Sequence, residues 1–331
     1  MRARKTDMKK RIAIYFTGGT ISMRVDPKIG AAVPALSGKD IVENVPELAT
    51  VADFEIIDFG RYPGPHWTLP LMMDLSRKVR ETLNRPEVDG VVITHGTDSL
   101  EETAFLLDLT IESEKPVVFV GAMRNSSELG WDGPSNLLAA VRVALTPSSR
   151  SKGVMVVMND TALAASEVTK THTESFDSFQ SPDFGALGVV DKGEVIMRCS
   201  PLGRVHVNTD TLVEPVFLIK VAAGVDSTLL HACIDAGAKG VIIEAMGRGN
   251  VPPACLDGIQ RAIKQNIPVV MASRCHRGRV LDSYGYQGGG RQLRNLGVIF
   301  ADFLNGQKAR IKLALVLSLT NNLSEVRALF E

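Results

Sequence analysis

Short apolar, β-branched runs alternate along this chain with longer amphipathic stretches. Ile12–Phe16 and Val91–Thr94 are the clearest runs, followed by Pro116–Val120, Gly153–Met158, Val216–Val221, Gly240–Glu244 and Pro268–Ala272. Continuous rather than alternating apolar character is what a strand buried on both faces requires, so these read as members of parallel sheets. The intervening stretches carry helical spacing. Leu69–Leu83 follows Thr68 and places Leu71, Met72, Leu75, Val79 and Leu83 on one stripe. Ser99 and Glu102 have the spacing of a capping box before Thr103–Ile111, and Pro134 suits the first turn of a helix reaching Leu145. Asp226 can cap Ser227–Ala236, and Pro252-Pro253 leads into Leu256–Gln265.

Strand–helix alternation predicts an α/β fold of βαβ units. The alternation is interrupted near residues 192–214, where Lys192–Arg198 suits an extra strand pair and Cys199–Asn208 has no helical period. The expected organisation is a larger N-terminal domain over 1–195, with a mostly parallel sheet and helices on both faces. A connector over 196–214 and a smaller C-terminal α/β domain over 215–331 follow. The 331 residues, 45% of them apolar, suffice for two cores. Ser22–Ser37, rich in Gly, Pro and Ala, reads as a long loop of the kind that covers or binds.

Charge narrows the partners. With 37 basic and 37 acidic residues, the chain has no general attraction for nucleic acid or acidic membranes. No apolar run reaches the length of a membrane span. Met1–Lys10 is basic, but the apolar run after it is too short for a signal-peptide core, so a cytoplasmic location is expected. The four cysteines, Cys199, Cys233, Cys255 and Cys275, are scattered without zinc spacing and read as buried free thiols.

The chemistry concentrates where two strand runs end. Thr17-Gly18-Gly19-Thr20 follows the first, and His95-Gly96-Thr97-Asp98 the second. Ligands of parallel sheets bind outside the carboxyl ends of the strands. A hydroxyl there can attack, and backbone N–H groups beside glycines can steady an oxyanion. A phosphate-binding turn or a plain strand-to-loop turn would use the same residues. Lys170 lies among hydroxyls in Val168-Thr169-Lys170-Thr171-His172-Thr173. A lysine buried beside a hydroxyl can act as a base, giving a Thr–Lys–Asp set with the division of roles of a Ser–His–Asp triad. His66, His95 and His172 lack metal-pair spacing, so no metal is assigned. Gly288-Gly289-Gly290 is not a nucleotide fingerprint, and the first turn lacks Gly-x-Gly-x-x-Gly, which argues against a dinucleotide-dependent oxidoreductase.

Together these motifs resemble the bacterial-type L-asparaginase/glutaminase family. The matches are Ile14–Ser22, Gly90–Thr103, Val120–Arg124, Met158–Thr161 with Val168–Thr171, and Gln307–Arg310. The likeness runs from about residue 11 to the C-terminus. It implies hydrolysis of a side-chain amide to a carboxylate and ammonia, with no cofactor. Residue by residue, it implies Thr17 as nucleophile, with Thr97, Asp98 and Lys170 as the assisting set. Asp98 would also hold the substrate α-amino group. Gly64, Gly96 and Ala122 would bind substrate, the last through its carbonyl together with the Thr97 N–H. It further implies a homo-oligomer, dimer or tetramer, in which Asn250 reaches a neighbour's site. The chain departs from the family at three places. Ser22–Ser37 holds no tyrosine, Gly64-Pro65 stands where members carry Ser-Gln or Ser-Ser, and Gly288–Gly290 replaces an acidic residue. L-asparagine is the expected substrate. Glutamine or a modified amide, or a non-catalytic amino-acid or amide sensor, remain alternative readings of the same residues.

Overall fold

The apolar runs pair side by side because a shared sheet satisfies their backbone groups while both faces are covered. The computed structural model describes residues 9–330. Of the basic stretch Met1–Lys10, residues 1–8 lie outside the described residues, as does residue 331. The chain divides into two compact units, one ending at Arg204 and the other beginning at Val205.

The first unit contains β1 (Arg11–Phe16), β2 (Met23–Asp26), β3 (Ala31–Pro34), β4 (Asp53–Asp58), β5 (Gly90–Thr94), β6 (Val117–Val120), β7 (Val154–Met158), β8 (Thr161–Ala164), β9 (Thr169–Lys170), β10 (Phe179–Gln180), β11 (Gly188–Asp191) and β12 (Glu194–Met197). Eight of these form one sheet in the order β12-β11-β8-β7-β6-β5-β1-β4. From β4 to β7 neighbours run parallel; β8, β11 and β12 continue antiparallel. The extra strand pair expected near Lys192–Arg198 is the β11–β12 hairpin.

Alternate residues of the central strands enter opposite cores, as the two-residue period dictates. Ile12, Ile14 and Phe16 pack with Val92 and Val118 beneath α1 (Gly38–Glu43), α2 (Leu48–Val51) and α5 (Gly133–Leu145). Tyr15 points the other way. Its hydroxyl bonds the Lys78 carbonyl at 3.0 Å and Thr82 Oγ1 at 2.8 Å, both on α3 (Leu69–Leu83). α4 (Leu100–Thr110) packs beside α3. Thr68 caps α3 as expected, accepting the Leu71 N–H.

In the second unit, β13 (Val216–Lys220), β14 (Gly240–Ala245), β15 (Val269–Ser273) and β16 (Ile299–Phe300) form a parallel sheet in sequence order. Ile219, Val241, Ile243 and Met271 share a core with Leu230 and Ile234 of α6 (Thr228–Asp235), Ile259 of α7 (Leu256–Lys264) and Leu293 of α8 (Gly290–Leu296). α9 (Gly306–Val316) packs against β13, β14 and β15, and α10 (Leu323–Phe330) packs on α9 and β16.

Two expectations need correction. Ser22–Ser37 is not a bare loop: β2 and β3 pair antiparallel within it. The turn closes because Asp26 accepts the Lys28 N–H on its side chain and the Gly30 N–H on its carbonyl, with Gly30 at φ +63°. The four cysteines are all free, but Cys255 alone is buried. Cys199 and Cys275 lie exposed in loops after β12 and β15, and Cys233 is half-buried.

Candidate active site

Register brings the two threonine turns together. β1 and β5 are parallel neighbours with Phe16 opposite Thr94, so Thr17 and His95 leave the sheet side by side. Glycine lets the turns close on one another. A Cβ on Gly19, at φ +83°, would lie 2.4 Å from Gly96 Cα, and one on Gly96 would lie 2.8 Å from Gly64 N. No side chain fits these approaches.

Thr17 is fully buried, and its hydroxyl donates to the Thr94 carbonyl at 2.7 Å. This bond fixes the direction of the oxygen's remaining lone pairs. Thr97 is also buried. Lys170 Nζ donates to Thr97 Oγ1 at 2.9 Å and to Asp98 Oδ1 at 2.7 Å. The β9–β10 ladder, in which Lys170 stands opposite Phe179, holds the lysine backbone. The Lys170 side chain is 16% exposed, whereas that of Asp98 is 63% exposed. One carboxylate therefore both anchors a mostly buried ammonium and faces solvent, where it can meet a second cation. Sequence reasoning grouped Thr97, Asp98 and Lys170, and the structure brings these three into contact. It does not join Thr17 to Lys170; Thr17 bonds Thr94 instead.

The expected capping box at Ser99 and Glu102 is absent. Ser99 precedes α4, but its side chain makes no cap bond. Its hydroxyl donates instead to the Gly64 carbonyl at 2.7 Å, tying the Gly64 loop to the second threonine turn. A side chain committed to a buried carbonyl of another loop cannot also close a local cap. Asp226 is likewise one position early. Ser227 is the N-cap residue of α6, and Asp226 accepts the Thr228 N–H from outside.

Ala122 is fully buried just beyond β6. Among the described residues its carbonyl receives no hydrogen bond, and the N–H groups of Gly64, Gly96 and Thr97 have no acceptor. A buried carbonyl near a cluster of unused N–H groups provides one acceptor and several donors for an amide and a carboxylate. Asn250 belongs to the second unit. There its backbone bridges Met246, and its Oδ1 accepts the Gly290 N–H at 3.2 Å.

His95 has a structural place. It is fully buried, its ring 4.4 Å from that of Trp67 at a tilt of 30° and near Phe119. Burial pushes its pKa down to about 4. Its Nδ1 lies 2.8 Å from the Gly96 carbonyl and donates to it, so the ring that this low pKa keeps neutral at pH 7 carries its proton on Nδ1. Two supports of the site were missed in the sequence. The Thr94 carbonyl stands directly before the second threonine turn. Asp132 and Asn136 reveal themselves only by their i, i+4 spacing at the start of α5.

Residues 11–202 match the family described as Asparaginase, N-terminal, and residues 215–330 match the Glutaminase/Asparaginase C-terminal domain. The chain is 36% identical over 331 residues to the probable L-asparaginase of Deinococcus radiodurans, covering 97% of each chain. It is 33% identical over 313 residues to the L-asparaginase of Bacillus licheniformis, covering 94% of this chain and 96% of that one. The crystal structure of a probable cytoplasmic L-asparaginase from Campylobacter jejuni superposes with a TM-score of 0.87 at 33% identity, over 97% of this chain and 99% of that one. With both of its units matched in order and the paired threonine turns in place, the chain belongs to the bacterial-type asparaginase/glutaminase family.

Proposed function

We propose that this chain hydrolyses the side-chain amide of L-asparagine to L-aspartate and ammonia. The observation that carries this reading is the bonded Thr97–Lys170–Asp98 set beside the buried Thr17 hydroxyl. Thr17 Oγ attacks the amide carbon, and the unused N–H groups receive the charge that develops on the amide oxygen. The C–N bond breaks, and the nitrogen takes the hydroxyl proton and leaves as ammonia. Water then attacks the Thr17 ester. Lys170, oriented by Asp98, relays protons through Thr97 in both halves. Asp98 also receives the α-ammonium group, consistent with its exposed carboxylate.

The proposal includes a homo-oligomer, dimer or tetramer, in which Asn250 of a neighbouring copy completes the site. It also includes a cytoplasmic location, the description carried by the Campylobacter jejuni relative. Among the described residues no helix is long and apolar enough to cross a membrane.

A second reading, hydrolysis of glutamine or a modified amide, is favoured by Gly64-Pro65, which offers no side-chain donor for an α-carboxylate. Ammonia release from L-asparagine, D-asparagine, L-glutamine and N-substituted asparagines separates the two. The proposal expects the highest kcat/KM on L-asparagine. A higher value on another amide moves the substrate. Calorimetric binding without turnover of any amide would indicate a sensor instead.

A further inference from the structure

The residues flanking Ala122 are held by two side chains, Asp132 immediately before α5 and Asn136 on its first turn. Asp132 accepts the Met123 N–H through both carboxylate oxygens, at 3.1 and 3.0 Å, and the Arg124 N–H at 2.9 Å. Asn136, one turn later, donates from Nδ2 to the Gly121 carbonyl at 3.1 Å. The residues immediately before and after Ala122 are thus pinned, while the Ala122 carbonyl is left without a donor among the described residues.

The pair is also fixed internally. Asn136 Nδ2 donates to Asp132 Oδ2 at 2.9 Å, and Asn136 Oδ1 accepts the Asn159 N–H at 3.1 Å. Only one orientation of the amide satisfies all three contacts, since two need a donor and one an acceptor. Asn136 is buried, so losing any of these contacts would strand polar groups away from water. The pinned turn touches the second threonine turn directly. A Cβ on Gly121 would lie 2.9 Å from the His95 carbonyl and 3.1 Å from Thr97 Cγ2. Any tilt of the turn would therefore move the carbonyl relative to Thr97.

We infer that Asp132 and Asn136 are positioning residues that aim the Ala122 carbonyl at the departing amide nitrogen. This rests on the amide-hydrolase reading above. The Ala122 carbonyl accepts an N–H of the substrate amide and keeps that contact as the nitrogen becomes ammonia. An ester has no such N–H, so its hydrolysis does not draw on the aim of this carbonyl.

The test compares L-asparagine with the β-methyl ester of L-aspartate, in wild type, Asn136→Ala and Asp132→Asn, with thermal unfolding followed alongside. Asp132→Asn is nearly isosteric and keeps one acceptor oxygen, so it carries the test if Asn136→Ala does not fold. The expected result is a fall in kcat/KM on the amide of about ten- to a hundredfold, the scale of a misplaced group, with the ester changed much less. Equal losses on both substrates would overturn the positioning role and leave the hydrolase reading standing. A wild type that turns over neither substrate would overturn the hydrolase reading, and the positioning role with it.

Discussion

Lys170 and Thr97 are joined by a direct hydrogen bond, Nζ to Oγ1 at 2.9 Å, while the same nitrogen donates to Asp98 at 2.7 Å. The lysine is mostly shielded and its carboxylate partner is not, so the bond to Thr97 lies on the protected side of the pair. Lys170→Met keeps the length of the side chain and removes the proton carrier. Steady-state ammonia release should show kcat reduced by about 10²- to 10⁴-fold, the usual share of a general acid–base group. Stability should change little, because the abandoned Asp98 carboxylate remains solvated.

Gly19→Ala is expected to unfold the site. The new Cβ would meet the Gly96 backbone at 2.4 Å while the residue is held at φ +83°. Backbone cannot yield as a flexible side chain can, so the loss should exceed about 2 kcal/mol. The midpoint of urea unfolding measures it. A midpoint equal to wild type would mean that the two turns are not pressed together.

Ser99→Ala removes the tie between the second threonine turn and the Gly64 carbonyl. That carbonyl keeps the Trp67 N–H at 3.3 Å, so the expected cost is modest, about 1 kcal/mol. A capping role would predict loss of α4 helicity instead. Amide exchange over Leu100–Thr103 tells the two apart, and we expect protection there to persist.

His95 makes stability depend on pH. Its folded pKa is pushed down to about 4 by burial, against roughly 6.5 when unfolded. Between these values the unfolded chain binds a proton that the folded chain refuses. Stability is therefore fully present above about pH 6.5 and falls as pH drops toward 4, by up to about 3 kcal/mol. His95→Phe keeps a ring against Trp67 and should flatten the slope of unfolding free energy over this window. An unchanged slope would contradict a buried neutral imidazole.

Lys312 gives a prediction for the second unit. It is buried on α9 with its ammonium 4.9 Å from the Phe330 ring, and burial lowers its pKa to about 8. At pH 7 the folded state carries a charge it disfavours relative to the unfolded chain. Lys312→Met should therefore raise stability at neutral pH by about 1–3 kcal/mol, with the gain shrinking above pH 8 and gone near pH 10.5. Thermal unfolding at pH 7 and pH 10 checks both parts.

The strands that line the site were legible because burial on two faces leaves unbroken apolar runs. Val91–Thr94 could hardly be read otherwise, and the glycines after each run marked where it stopped. β4, Asp53–Asp58, was not legible. It is an edge strand with three acidic residues, Asp53, Glu55 and Asp58, and no fully buried position, so its pattern resembles a loop. α9 was hidden for the opposite reason: it is buried nearly all round yet carries Lys308 and Lys312. At the site, Thr97, Asp98 and Lys170 could be grouped from residue type and setting. Ser99 reads as a local cap because spacing alone cannot show a hydroxyl reaching a loop 35 residues earlier. Spacing could pair Asp132 with Asn136, but not show the backbone groups around Ala122 that they hold.

The most direct test of the account is ammonia release from L-asparagine by wild type, Thr17→Ala and Thr97→Ala, each verified as folded. We predict steady turnover by wild type and a fall of at least about 10³-fold in each variant, since nucleophile and proton relay act as one unit. Turnover within tenfold of wild type in either variant would contradict the mechanism.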